Sequence, residues 1–211
     1  MYALISPEKI YLPPGTVVRL LGTWQDYITL SALRGDNSIP HIKYRPGEIS
    51  LMSPLPDHGR NVNVISDVVK VLLDFLGREY DAFTPITMDL VEIRGIEPDY
   101  CFYIDNWAAI SGKKRINWTI DPPPDLAIEI DVTSYTDIED YKPYRVPEVW
   151  LYKGTQLKIY ALESDNYQLQ NNSLYFPNLN IAEIVQECLQ IAQERNSSAA
   201  MRELRRKLNS D

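Results

Sequence analysis

Several things are scarce in this 211-residue chain, and each scarcity excludes something. The only two cysteines, Cys101 and Cys188, have no metal-ligand spacing and are too few for a disulfide scaffold. They read as buried thiols in a reducing compartment. No run of 18 apolar residues occurs, so no membrane span is expected. The N-terminus shows no basic segment followed by an apolar stretch and a cleavage site, so a cytoplasmic location is expected. Lysine and arginine number 21 against 29 aspartate and glutamate, a net charge of −8. That balance weighs against a protein that coats nucleic acid, because phosphate backbones are held by basic side chains. It leaves room for an enzyme with a local basic groove, or one whose acids meet phosphate through a metal ion.

What is present suits a globular protein with one good-sized core: 45% hydrophobic and 24% charged residues. No internal repeat, low-complexity segment or clean linker divides it. A single domain over 1–211 is expected, with an extended lead-in over about 1–22 that turns at Pro13-Pro14-Gly15. Trp24, Tyr27, Leu30 and Leu33 have helical spacing. Ile42 to Tyr44 and Glu48 to Met52 read as strands joined at Arg45-Pro46-Gly47. The clearest helix runs from about Gly59 to Leu76, with Asp57 as cap and Gly77 as stop. Strands are expected at 82–92, 99–104 and 125–132, then a short helix near 136–144. Glu148 to Tyr152, Gln156 to Ala161, Tyr167 to Gln170 and Leu174 to Phe176 then form a meander. Asn180 and Glu183 fit a capping box for a C-terminal helix, and a last helix covers about 198–208. The order predicts an α/β protein with one mixed sheet flanked by helices.

Two stretches carry chemistry. One is Glu97-Pro98-Asp99-Tyr100 and the other runs from Asp125 to Asp131. In the second, Leu126, Ile128, Ile130 and Val132 share one strand face, while Asp125, Ala127, Glu129 and Asp131 share the other. Carboxylates two apart on a strand lie roughly 7 Å from each other. Acids on a core strand are costly unless neutralised. A divalent cation is one solution, and an ion pair with a basic side chain is the other.

These residues sit in an ordered set: Met52-Ser53-Pro54 with His58, Pro98-Asp99, Pro124-Asp125-Leu126 through Glu129 to Thr133-Ser134, and Val146-Pro147-Glu148-Val149-Trp150. Leu174 to Leu179 and Ala199-Ala200-Met201-Arg202 follow. From about residue 20 onward, the set resembles the Uma-two family. The resemblance implies a restriction-endonuclease-like fold, with a mixed sheet, an antiparallel meander and C-terminal helices. It implies a Mg²⁺-dependent (or Mn²⁺-dependent) endonuclease that hydrolyses phosphodiester bonds in DNA, working as a homodimer and away from membranes. Asp99 and Glu129 would be the acids on adjacent strands that hold the ion, with Asp131 a candidate third ligand. Glu48 and His58 are candidates for an outer contact to the metal site or to phosphate.

The pattern departs from the family at one place. A lysine belongs two residues after Glu129, but Asp131 stands there. Relatives that move the lysine place it four residues before a helix tyrosine. If Tyr141 is that tyrosine, the position holds Asp137. Lys142 is the nearest lysine and hence the candidate catalytic cation, unless the amine comes from elsewhere or is missing. The competing reading is therefore a catalytically degenerate nuclease fold that serves as a binding or interaction module.

Overall fold

The computed structural model describes residues 11–35, 37, 39–131 and 136–210. The first ten residues of the expected lead-in, Val132 and the Thr133-Ser134 pair lie outside the described residues. In chain order the first elements are β1 (Val17–Gly22), α1 (Trp24–Arg34), β2 (His41–Arg45), β3 (Gly47–Met52), α2 (Pro56–Phe75), β4 (Asp81–Phe83) and β5 (Met88–Leu90). There follow β6 (Arg94–Ile96), β7 (Tyr100–Tyr103), α3 (Trp107–Ile110), β8 (Leu126–Asp131) and a 3₁₀ helix over Ile138–Tyr144. The remainder is β9 (Glu148–Lys153), β10 (Gln156–Glu163), β11 (Asn166–Gln170), α4 (Ile181–Glu194) and α5 (Ser197–Leu208).

The strands form two sheets rather than one. A six-stranded mixed sheet runs β11-β10-β9-β8-β7-β4, with β8 and β9 parallel and the other neighbours antiparallel. A five-stranded antiparallel sheet runs β1-β3-β2-β6-β5. The last six residues of the expected lead-in are strand β1. The strand expected over 82–92 is two strands in different sheets, divided around Pro85, which cannot donate a ladder bond. The expected strand at Leu174 to Phe176 is instead a loop, anchored where the Leu174 N–H donates to buried Glu148 at 2.5 Å.

Local chemistry explains the helix ends. Thr23 and Asp26 form a reciprocal capping box at α1. At α2 no side chain caps the helix. Pro56 opens it, where a missing N–H costs nothing, and Asp57 falls in its first turn. Gly77, at φ +63°, ends it.

The apolar face of α2 (Val64, Val68, Leu72) packs with Leu126, Ile128 and Ile130 of β8, Trp150 of β9, and residues of α4 and α5. Ala127, on the opposite face of β8, belongs to a second cluster with Met88, Ile96 and Tyr141. In the five-stranded sheet, Ile42 and Tyr44 of β2 turn towards Tyr27 of α1. Alternation along β2 therefore gives His41, Lys43 and Arg45 the other face, which meets Asp99 before β7, Glu129 of β8 and Asp140 of the 3₁₀ helix. Among the described residues no helix is long and apolar enough to cross a membrane.

Candidate functional site

The strand register brings the two principal acids together. Tyr100, Cys101 and Phe102 of β7 pair with Ile128, Ala127 and Leu126 of β8. Asp99 immediately precedes Tyr100, so its carboxylate comes beside Glu129, whose pKa is raised by burial and further by this charge. The Ile130 N–H donates to Asp99 Oδ2 at 2.8 Å, which fixes the carboxylate on the edge of that ladder. Asp99 is 4% exposed and Glu129 3% exposed.

Three side chains of β2 meet three acids in turn. His41 Nδ1 lies 3.7 Å from Asp99 Oδ1. The Lys43 ammonium donates to Glu129 Oε1 at 2.8 Å, and Arg45 donates to Asp140 Oδ2 at 2.7 Å. From α2, His58 Nε2 sits 3.1 Å from Asp99 Oδ2. From the 3₁₀ helix, the Tyr141 hydroxyl donates to Glu129 Oε1 at 2.6 Å. Much of the neutralisation that the buried acids require thus comes from the protein's own cations and donors.

The electrostatics follow from burial. Desolvation pushes the Glu129 carboxyl up to about 7, although Lys43 and the hydrogen bonds of Lys43 and Tyr141 pull it down. Lys43 is held above its ordinary value: burial opposes its charge, but Glu129 and Asp99 outweigh that cost. The two imidazoles beside Asp99 shift apart. Burial lowers His41, while at His58 the hydrogen bond and charge of Asp99 overcome burial and raise it.

The remaining predicted residues fall in different places. Both oxygens of Asp131 meet Thr136, from its N–H and its hydroxyl, each at 2.8 Å, and Lys153 lies 3.8 Å away. Asp125 accepts the N–H groups of Ile104, Asp105 and Asn106 and so closes a loop. Glu48, half-buried on β3, is the cross-strand partner of Arg45 and lines a cleft of about 40 Å³ with Arg19, Lys43, Ser50 and Asp140. Lys142 is not brought to the acids. The turn that points Tyr141 inward sends Lys142 outward, where its amine contacts Glu139 at 3.3 Å and Asn166 at 2.8 Å. The amine on Glu129 is Lys43, which the sequence reading missed. Its signal was the alternation of His41, Lys43 and Arg45 with apolar Ile42 and Tyr44 on a predicted strand.

Among the described residues, no group of three or more His, Cys, Asp or Glu side chains forms a ready cage for a metal ion. A Mg²⁺-type site does not need one, because that ion keeps several waters and takes one or two carboxylates plus substrate oxygens. The donors suit such an ion. Among the described residues, Asp99 Oδ1 has only the 3.7 Å contact to His41, and Glu129 Oε2 only a 3.5 Å contact to Thr136, so each acid keeps one loosely held oxygen there. A cavity of about 340 Å³, lined by His41, His58, Asp99, Thr84 and Tyr100, gives access to this point.

A family model named Uma2, described as "Putative restriction endonuclease", matches residues 24–194. Restriction-endonuclease-like families generally use divalent metals. A crystal structure titled as a "putative nuclease belonging to DUF820" from Anabaena variabilis ATCC 29413 is similar over 77% of this chain and 92% of that chain, at 18% identity and a TM-score of 0.49. No curated protein matches the chain.

Proposed function

The chain belongs to the Uma2 family, and from that premise we propose that it is a metal-dependent nuclease that hydrolyses phosphodiester bonds in DNA. One observation carries the reading: Asp99, just before β7, is held by the Ile130 N–H beside Glu129 of the neighbouring strand β8, while the Lys43 ammonium stands 2.8 Å from Glu129. Asp99 and Glu129 would hold the ion, Mg²⁺ or Mn²⁺. When bound, such an ion offsets charge on the scissile phosphate and acidifies water.

The protein's own groups do the rest. Lys43 stays protonated, so it acts as a fixed cation beside the phosphate and as a donor that orients water, not as a proton acceptor. Tyr141 and Thr136 keep Glu129 in one rotamer, and His58 does the same for Asp99. Water adds to phosphorus, a P–O ester bond breaks, and the products are a phosphate monoester and an alcohol. Arg19, exposed on β1, joins Lys43 and Arg45 in the cleft on one side of His41, where Glu48 and Asp140 also lie, and of these three cations Lys43 and Arg45 are already paired with acids. Asp131 accepts the N–H and the hydroxyl of Thr136 and would support the site from outside the ion's ligands.

A second reading draws on the self-sufficiency of the cluster. Lys43 and Tyr141 occupy Glu129 Oε1, and His58 and the Ile130 N–H occupy Asp99 Oδ2, as a non-catalytic binding module would need. Metal titration separates the two. Millimolar Mg²⁺ or Mn²⁺ raises the melting temperature of a metal-binding protein, and Glu129→Ala abolishes the rise. Supercoiled plasmid is then nicked by the wild type and not by Asp99→Asn. No thermal shift with either ion favours the binding module, and equal nicking by Asp99→Asn overturns the nuclease assignment.

A further inference from the structure

The chain has only two histidines, and both converge on Asp99. His58 takes Oδ2 at hydrogen-bond distance. His41 is different. Its Nδ1 lies 3.7 Å from Asp99 Oδ1, too far for a hydrogen bond, and has no hydrogen-bond partner among the described residues. The residue is 8% exposed, and a buried polar atom left without a partner is destabilising. A proton cannot span that gap, but a metal ion can. Two donors that share one ion, each at about 2.0–2.2 Å from it, lie roughly 3 to 4 Å apart. Asp99 Oδ1 is also the oxygen of that carboxylate with no closer contact than His41. The ring lines both the cleft with Lys43 and the larger cavity with His58, so an ion beside Nδ1 is reachable from either side.

We propose that His41 Nδ1 and Asp99 Oδ1 jointly ligate the divalent ion of this site, which makes it selective for first-row transition ions over Mg²⁺. The inference rests on the nuclease reading only in taking Asp99 as a ligand. Mg²⁺ prefers hard oxygen donors and keeps its waters, whereas an imidazole nitrogen adds affinity that climbs from Mn²⁺ through Co²⁺ to Ni²⁺. The ligand comes from β2 of the five-stranded sheet and the carboxylate from the residue preceding β7 of the other, so the ion would also clamp the two sheets together.

The test uses the full chain stripped of metal and loaded with Mn²⁺ alone. Electron spin-echo modulation detects a nitrogen bonded to Mn²⁺, and histidine labelled with ¹⁵N shifts that signal. Expected are a histidine nitrogen coupling that persists in His58→Ala and disappears in His41→Ala, and displacement of Mn²⁺ only by Mg²⁺ in roughly tenfold or greater excess. Because the labelled His58→Ala protein contains one histidine, the assignment stands on that protein even if His41→Ala fails to fold. Mn²⁺ that binds in an Asp99-dependent way without nitrogen coupling overturns the role of His41 and leaves the metal-dependent reading intact. Coupling that vanishes in a folded His58→Ala also overturns it. If neither Mn²⁺ nor Mg²⁺ binds at millimolar concentration, both readings fall.

Discussion

The Lys43 ammonium on β2 lies 2.8 Å from Glu129 Oε1 on β8, across 86 residues of sequence and from one sheet to the other. The resemblance implies an amine two residues after Glu129 or on the following helix. Here the residue two after Glu129 is Asp131, engaged by Thr136, and the cation arrives through space. The proposed nuclease chemistry would ask only for a positive charge beside the ion and the phosphate, whatever its origin in the chain. Lys43→Met is expected to lower plasmid-nicking activity by about 10²–10³-fold, the scale of losing one preorganised charge. Lys142→Met removes a half-exposed amine that touches Glu139 and Asn166, and activity should stay within about twofold of wild type. Single-turnover rates for the two variants decide the matter. The reverse ranking would return the catalytic role to Lys142.

The register of β2 over the acids is set from behind by Glu97. Arg34 grips both of its oxygens, at 2.8 and 2.7 Å. The Ile42 N–H, between His41 and Lys43, donates to the same carboxylate at 3.0 Å, and Thr87 at 2.9 Å. Glu97→Gln leaves a largely buried guanidinium without its counter-charge, a loss of about 3–5 kcal/mol. For a chain of this size each kcal/mol lowers the melting point by about 2–4 °C, so a fall of roughly 6 °C or more is expected. Differential scanning calorimetry checks it, and a fall below about 2 °C would mean that Arg34 finds other partners.

Much of this was legible in the sequence, and the reasons differ from residue to residue. The periodicity of Val62 to Leu76 disclosed α2, because a helix buried on much of its girth repeats its apolar positions regularly. The alternation of Leu126, Ile128 and Ile130 with acids disclosed β8 and named Glu129. The two-sheet division was not legible: the short strands flanking Pro85 join different partners, and pairing is a tertiary choice that local sequence does not encode. Lys43 was missed for a similar reason. Its partner Glu129 lies 86 residues along the chain and is supplied only by folding. Asp125 and Asp131 share the acidic face of β8 with Glu129 in the pattern, yet Asp125 closes a backbone loop and Asp131 accepts from Thr136. Spacing shows that carboxylates share a face, not which of them will find N–H groups to accept.

Gly95 and Gly59 make opposite predictions from the space around them. A Cβ on Gly95 would stand 2.5 Å from Cζ and 2.6 Å from the hydroxyl oxygen of Tyr27. That ring is fully buried and tied to Asp89 at 2.5 Å, so it has little freedom to move aside. Gly95→Ala should therefore cost about 1–3 kcal/mol through overpacking. Around Gly59 in α2 nothing lies within 4 Å of the added carbon. There alanine should stabilise by about 0.5–1 kcal/mol through helix propensity. Urea midpoints for both variants test the pair, and the contrast fails if they shift in the same direction.

Glu148 supplies the pH dependence that can be isolated away from the acids of the candidate site. Its side chain is fully buried at the start of β9. Burial raises its pKa, and the hydrogen bonds from Ser173, the Leu174 N–H and the Trp150 indole oppose the rise only in part. The folded state thus holds this proton to higher pH than the unfolded chain, in which the group titrates near its ordinary value of about 4.3. By linkage, the stabilisation from this group is fully present below that value and is lost as pH rises through the raised folded value. Glu148→Gln removes the titration while keeping an acceptor for Trp150 and Ser173, which bond the same oxygen. The stability of wild type relative to Glu148→Gln should accordingly be greatest at about pH 4 and decline as pH rises towards neutrality. Urea denaturation of both proteins across that interval measures the difference directly. A difference that stays flat, or that grows with pH, would mean that the hydrogen bonds outweigh burial and hold the carboxyl at or below its ordinary value.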